Sequence, residues 1–329
     1  MDKHNANIAI LRLLEKYTDD DHKVSQQEMV QLLKKEYGLE IDRRSVKSNI
    51  EFLQEAGYEI SMEKGYRLKS RTLENAELRV IIDSVLFSKA LSDQQGKELI
   101  GKLQAMGSKY FNMNLGHIAG LQEMQYVDND QVLESVEKIN DAIDTNRKIR
   151  FTGSHYGTDF KRHAGGEHVV SPYQIVANNG RFYLICHDDR YQTDEVVYYR
   201  LDRMRDVEIT KDRRFPIRKV KGMEHGLNLP KHMAEHVYMF RGQSVPIKIR
   251  TKAYRMDDLV DWFGKDFTIM KSEGDDIIVR LHCNEESFFY WALQYGMTAE
   301  VLKPDTLRER LTEATKAMAE KYQRPAEES

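Results

Sequence analysis

The stretch SPYQIVANNGRFYLICHDDRYQTDEVVYYRLDRMRD, residues 171–206, holds the densest set of groups able to recognise an anion. Alternate residues of a strand share a face. Tyr183 and His187 therefore lie on one side of their strand, and Tyr198 and Arg200 on one side of the next. Arg200 and Arg203 bracket a short turn through Asp202. Rings stack on bases, and a planar guanidinium pairs with phosphate oxygens, so this set suits a nucleotide, a phosphate or a nucleic-acid end. The same residues also suit cross-strand Tyr/Arg packing with Asp202 as an internal ion-pair partner, and the residue types alone leave both readings open. A second set lies near the start of the chain. Arg43, Arg44, Ser45, Lys47 and Ser48 fall on or beside one helical face, and Lys64 and Arg67 flank a hairpin turn. Arg and Lys reach phosphates or guanine edges, and Ser reaches either.

Other chemistries lack their spacing. His155, His163, His168 and His187 are scattered with no HExxH or comparable ligand pattern. There is no Walker-type glycine loop and no GxSxG. Gly165-Gly166 reads as a turn, Asp257-Asp258 as a helix start and Asp275-Asp276 as a hairpin turn. The two cysteines, Cys186 and Cys283, are too few for a disulfide framework or a four-thiolate zinc site and read as small buried hydrophobes. The expectation is a protein without catalytic residues, metal or cofactor, and not an enzyme.

Those two sets need elements to hold them. Residues 5–69 read as three helices and a hairpin. Ile10, Leu13, Leu14 and Tyr17 share a face of the first helix. Ser25 and Glu28 form a capping box for the second, whose buried face is Met29, Leu32, Leu33 and Tyr37, with Gly38 at its stop. Asp42 caps the third, where Val46, Ile50 and Leu53 turn inward and Arg44, Lys47, Ser48 and Glu51 outward. The hairpin turns at Lys64-Gly65. This order is that of a winged helix-turn-helix, with the third helix for the major groove and the hairpin as wing. Leu78, Ile81, Ile82, Val85 and Leu86, then Val132, Val136, Ile139 and Ile143, carry helical periodicity through residues 71–146.

From Lys148 the texture changes to five short strands, with Asn179-Gly180 as a hairpin turn, which fits a small barrel or a strongly bent sheet. All six prolines lie at or beyond Pro172. Residues 213–245 read as a linker. Residues 246–322 alternate strand and helix as a small α+β domain, ending in a helix with Leu307, Leu311, Ala314, Met318 and Tyr322 on one face.

The 329 residues carry a net charge of -3, unevenly spread. Residues 147–221 hold 16 basic and 10 acidic side chains, whereas residues 71–146 hold 7 and 12. One basic domain is thus hidden in a near-neutral total. No apolar run approaches the ~18 residues of a membrane span, and the start, MDKHNANIAILRLLEKY, lacks the apolar core of a signal peptide. A cytoplasmic protein with no membrane partner is expected.

Residues 171–206 resemble the WYL domain, named for a Trp-Tyr-Leu triplet that stands here as Phe182-Tyr183-Leu184. The SPY, NGRFYL and YRLDRM segments fit the same pattern. WALQYGMTAEVLKPDTLRERL resembles the C-terminal extension (WCX) that follows many WYL domains, and DRRSVKSNIEFLQEAG is similar to the recognition helix of the regulators that carry them. The resemblance implies an α+β chain. Its parts are a winged helix-turn-helix (1–70), a helical connector (71–146), an Sm/SH3-like β-barrel that senses a ligand (147–212), a linker (213–245) and a C-terminal dimerisation or capping domain (246–324). It implies a transcription regulator that binds duplex operator DNA as a homodimer. The implied effector is a nucleotide or single-stranded nucleic acid. The implied ligand residues are Ser171, Tyr173, Tyr183, His187, Arg200 and Arg203, with Tyr156 and Arg162 as further candidates. An alternative is an accessory protein whose barrel binds single-stranded ends and modulates a partner nuclease or helicase. The chain departs from the pattern at Phe182, and at Ser48-Asn49, where an Arg-Asp pair is usual. Loss of that Arg implies a different operator or weaker binding, with a salt dependence lower by roughly 0.9 per lost phosphate contact.

Overall fold

The computed structural model describes residues 6–69, 71–113 and 127–323. The first five residues, connector positions 114–126 and the polar tail from 324 lie outside it. The chain divides into two compact units, Met1–Asp130 and Gln131–Ser329.

In the first unit α1 (Ala6–Tyr17), α2 (Gln26–Tyr37) and α3 (Arg43–Glu55) pack around Ile10, Leu13, Leu14, Met29, Leu33, Val46, Ile50 and Leu53. Leu32, Tyr17 and Tyr37 sit half-buried at the rim. The expected caps are formed. Ser25 Oγ accepts from the Glu28 backbone N–H, and the Glu28 carboxylate accepts from that of Ser25. Asp42 accepts from the Ser45 N–H at 2.9 Å. Gly38 ends α2 at a φ of +65°, which suits a residue without a Cβ. Strands β1 (Ile60–Ser61) and β2 (Arg67–Leu68) form the hairpin, and a bridge from Val24 to Tyr66 adds the α1–α2 loop to it. Helices α4 (Asn75–Leu86), α5 (Asp93–Gln104) and α6 (Lys109–Met113) follow, with Leu78, Ile82, Ile100 and Phe111 as their own core.

The second unit opens with α7 (Val132–Asp144). Its buried face is Val132, Ser135, Ile139 and Ala142, rotated slightly from the expected Val132, Val136, Ile139 and Ile143, because small Ser135 and Ala142 let the helix lie close on the sheet. At its start Gln131 accepts from the Asp206 backbone N–H at 3.0 Å and donates to the Asp206 carboxylate at 3.2 Å.

Five antiparallel strands follow: β3 (Arg147–Tyr156), β4 (Arg162–Asn178), β5 (Arg181–His187), β6 (Val197–Arg200) and β7 (Met204–Arg213). Their order is β6-β5-β4-β3-β7. Strand β4 serves both halves of the bent sheet. Residues up to Val170 pair with β3, and those from Ser171 pair with β5. The register shifts beside Pro172, which lacks a ladder donor. Asn179 and Gly180 turn the β4–β5 hairpin with positive φ at both positions. A 3₁₀ turn, Leu201–Arg203, joins β6 to β7.

Residues 213–245 fold back on this sheet. Val220, Met223 and Met239 are buried against Tyr173, Val176 and Ile185, and the segment carries α8 (Leu229–Glu235). The C-terminal domain runs β8 (Ser244–Lys252), α9 (Met256–Phe263), β9 (Thr268–Glu273), β10 (Asp276–Asn284), α10 (Glu285–Tyr295), β11 (Ala299–Lys303) and α11 (Asp305–Gln323). The antiparallel sheet order is β11-β8-β10-β9. Its core is Ile247, Ile249, Val279, Leu281, Phe288 and Trp291. Leu307 is buried and Leu311 half-buried, but Met318 and Tyr322 farther along α11 are exposed. The chain is therefore of α+β class. Among the described residues no helix is long and apolar enough to cross a membrane.

Candidate anion-binding cleft

The turn from β6 to β7 places a cluster of arginines around one buried carboxylate. Asp202 is buried at 1% exposure in the middle of that turn. Arg200 binds it at two points, Nε to Oδ1 at 3.0 Å and Nη2 to Oδ2 at 2.6 Å. Arg162 from β4 and Arg181 from β5 approach the same carboxylate at 3.8 and 3.9 Å. Arg203 stands next to this group and is exposed only in part. Among the described residues no carboxylate pairs with it. Its partial burial, then the like charge of Arg200 and of Arg181 and Arg162, hold its guanidinium below the ordinary value, with Asp202 opposing. One carboxylate thus faces four guanidiniums, which leaves a surplus of positive charge at one spot.

Arg200 and Arg203 open onto a cleft of about 520 Å³ between the bent sheet and the Tyr238–Phe240 segment. Its walls are mostly rings, among them Phe151, His168, Tyr183, Tyr198 and Tyr199. They are held by packing and hydrogen bonds. Phe151 stacks on His168 with centroids 4.8 Å apart, and Tyr199 meets both edge-on. Tyr199 Oη donates to buried Asp188 at 2.6 Å, and Arg190 holds the same carboxylate at 2.7 Å and also reaches His168. Burial, and after it the Arg190 charge, keep His168 below the ordinary histidine value. Burial works against the Asp188 carboxylate, but the bonds from Arg190 and Tyr199 outweigh it and hold its value low. Tyr198 shares a 2.9 Å hydrogen bond with His232 of α8, which stacks on His236 at 4.2 Å. Fixed rings beside a cationic rim can accept a flat anionic molecule by stacking and guanidinium pairing.

The WYL domain model matches residues 134–209, and the WCX domain model matches residues 243–319. The chain carries a WYL domain followed by a WCX domain. No curated protein matches the chain. Among solved structures it is similar to proteasome accessory factor B/C (PafBC) of Arthrobacter aurescens, at 12% identity and a TM-score of 0.30, covering 97% of this chain and 49% of that one. The chain therefore spans about half the length of that protein. It is also similar to a CRISPR Cas-related protein, at 16% identity and a TM-score of 0.39, covering 98% of this chain and 85% of that one.

Within the WYL domain, the structure brings together only part of the expected ligand set. Tyr183, Arg200 and Arg203 line the cleft. Ser171, Tyr173 and His187 do not. Ser171 is fully buried and accepts from the Phe215 N–H at 2.8 Å, Tyr173 donates to the Phe215 carbonyl at 2.9 Å, and the His187 ring stacks on Phe215 at 4.2 Å. All three clasp one point of the segment that follows β7. Arg162 lies under the Tyr156 ring at 4.6 Å and donates to Ser154 at 3.0 Å, with 5% of its side chain exposed. The cleft residues that sequence reading missed include Phe151, His168, Tyr199 and the Tyr238–Phe240 segment. Tyr199 adjoins Tyr198 in the motif and was within reach of inspection, whereas Tyr238–Phe240 carries no local signal of its place. Of the four histidines read in the sequence, His155 and His163 face each other across β3 and β4 with ring centroids 5.9 Å apart, His168 lines the cleft and His187 stacks on Phe215. Among the described residues no group of three or more His, Cys, Asp or Glu is placed to hold a metal ion.

The winged-helix residues are all at the surface but differ in freedom. Arg44, Lys47 and Ser48 are exposed on α3, Ser45 is half-buried at its start, and Lys64 is exposed on the hairpin turn. Lys47 makes only a 3.6 Å pair with Glu51. Arg43 donates to Gln27 at 3.2 Å. Arg67 is tied down, donating to the Asp20 carbonyl at 2.8 Å with 22% of its side chain exposed.

Proposed function

We propose that this chain is a DNA-binding transcription regulator whose WYL domain senses an anionic, nucleotide- or nucleic-acid-like effector. The observation that carries the effector reading is the exposed Arg203 guanidinium, unpaired by any carboxylate among the described residues, at the mouth of an aromatic cleft. An anion from outside can pair with this guanidinium and be held by the rings beside it. The DNA reading rests on the exposed Arg44, Lys47 and Ser48 of α3, supported by the wing. Two copies bound as a homodimer would meet half-sites one helical turn, about 34 Å, apart.

Selection from a random duplex library with the full chain tests the regulator reading. An enriched palindromic site is the expected result, and a library with no enrichment at physiological salt overturns it. Competition of that complex by oligo(dT) and by a nucleoside triphosphate tests the effector reading. A change in operator affinity that disappears in Arg203→Ala supports it, and an identical response in the variant refutes it.

A further inference from the structure

The sheet of the WCX domain buries one face and leaves the other open. Ile247, Ile249 and Thr251 of β8 and Ile277, Val279 and Leu281 of β10 point to the core. The alternate residues, Lys248 and Arg250 on β8 and Ile278 and Arg280 on β10, point away from it. The register sets Lys303 opposite Lys248, and Lys248 opposite Arg280. Three cations therefore stand side by side on adjacent strands.

Like charges directly opposite each other destabilise a sheet. Ion pairs relieve only part of this ladder. Lys303 bonds to Asp305 at 2.6 Å, and Arg250 shares Glu300 with Arg308 at 2.8 and 2.9 Å. Among the described residues no carboxylate pairs with Lys248 or Arg280. Composition does not explain the excess, since residues 222–329 hold 15 basic and 18 acidic side chains. On the open face, Glu300 pairs with Arg250 and Asp276 with Lys252 at 2.7 Å, both outside the row.

We propose that this open face binds the phosphodiester backbone of single-stranded nucleic acid. A row of cations on a free sheet face can follow the backbone of a single strand, whose phosphates are spaced by a flexible chain. Two strand spacings put the Lys303–Lys248–Arg280 row within about 10 Å, which fits neighbouring phosphates of one flexible chain. The central open positions carry no aromatic ring, so the contact is to phosphates and not to bases, and it reads no sequence. Bound phosphates also cancel the repulsion built into the row. The proposal uses neither the WYL cleft nor α3, so its failure leaves the reading of those sites untouched.

The test is anisotropy of labelled oligo(dT) and of a labelled duplex, titrated with full-length protein over a range of salt. The starting protein carries Arg203→Ala, Arg44→Ala and Lys47→Ala, which weaken the other two surfaces and leave the Arg200–Asp202 pair intact. Adding Lys248→Ala and Arg280→Ala is expected to weaken oligo(dT) binding about tenfold and to lower the slope of log affinity against log salt by about 1.4, near 0.7 per lost contact. Without DNA, the same pair is expected to raise the melting temperature, because the like-charge contact is gone. Lys316→Ala with Lys321→Ala on α11 makes the same change in net charge away from the sheet. An unchanged slope in the sheet variant, or an equal drop in the α11 variant, overturns the proposal. Tighter binding to duplex than to oligo(dT) through Lys248 and Arg280 overturns the assignment to single strands.

Discussion

Arg200 closes a two-point ion pair on Asp202, whereas Arg203, three positions further along the same turn, meets no carboxylate among the described residues. Their substitutions should therefore separate binding from stability. Arg203→Ala is expected to weaken binding of an anionic probe such as a nucleoside triphosphate by ten- to a hundredfold, the range of a charge-assisted hydrogen bond worth about 1.5–3 kcal/mol. Its thermal stability should hold or rise. Arg200→Ala should lose both binding and stability. Calorimetric titration and melting of the two variants side by side check this, and a loss of stability in Arg203→Ala would contradict it.

Asp202→Asn should be among the more destabilising single changes in the second unit. It removes the charge that Arg200, Arg162 and Arg181 share and leaves Arg162 buried with its charge uncompensated. Breaking a buried ion pair from one side costs about 3–5 kcal/mol. Denaturant unfolding measures it, and a cost under about 1 kcal/mol would show that the arginine cluster does not depend on this carboxylate.

On the winged helix the expected split is between α3 and the wing. Arg44→Ala and Lys47→Ala should each lower the salt slope of operator binding by about 0.9 without altering the melting temperature. Arg67→Ala should instead destabilise the unit by about 1 kcal/mol, since its guanidinium holds the Asp20 carbonyl. Salt-dependent mobility shifts and thermal melts distinguish the two behaviours.

His232 gives the second unit a defined acid sensitivity. The ring is 8% exposed, and burial, followed by the neighbouring His236, pushes its value down to about 3. The unfolded chain takes up this proton near pH ~6.5, well above the folded protein. Stability is therefore undiminished above that point and falls as pH drops from ~6.5 toward about 3. At pH 5 the contribution is roughly 2 kcal/mol of lost stability. His232→Gln, which cannot take up a proton, should flatten the decline. A wild-type stability that is level between pH 7 and pH 5 would refute the effect.

Much of the architecture was written in local patterns. The Ser25–Glu28 box, the Asp42 cap, the Lys64-Gly65 and Asn179-Gly180 turns and the inward stripe of α3 all depend on residues within a few positions of each other. The pairing of Arg200 with Asp202 was legible for the same reason. The resemblance implies Ser171, Tyr173 and His187 as ligand contacts because they share the motif with Tyr183, yet they converge on Phe215, whose position depends on how the chain turns back after β7. The Tyr238–Phe240 wall was out of reach because residues 213–245 look like a linker, and only the packing of Val220, Met223 and Met239 against the sheet shows otherwise. The three-cation row was hidden too, since Lys248, Arg280 and Lys303 become neighbours only through strand register.

The attachment of Gln131 to Asp206 pins the start of α7 to the sheet of the second unit. Gln131 is the first residue of that unit, and Asp206 lies three positions beyond Arg203 on the strand that leaves the cleft. The bond therefore fastens the first turn of α7 to β7 close to the cleft residue Arg203. Gln131→Ala cuts it without altering any side chain that lines the cleft, so the α7 end of the second unit can be loosened separately from the cleft itself.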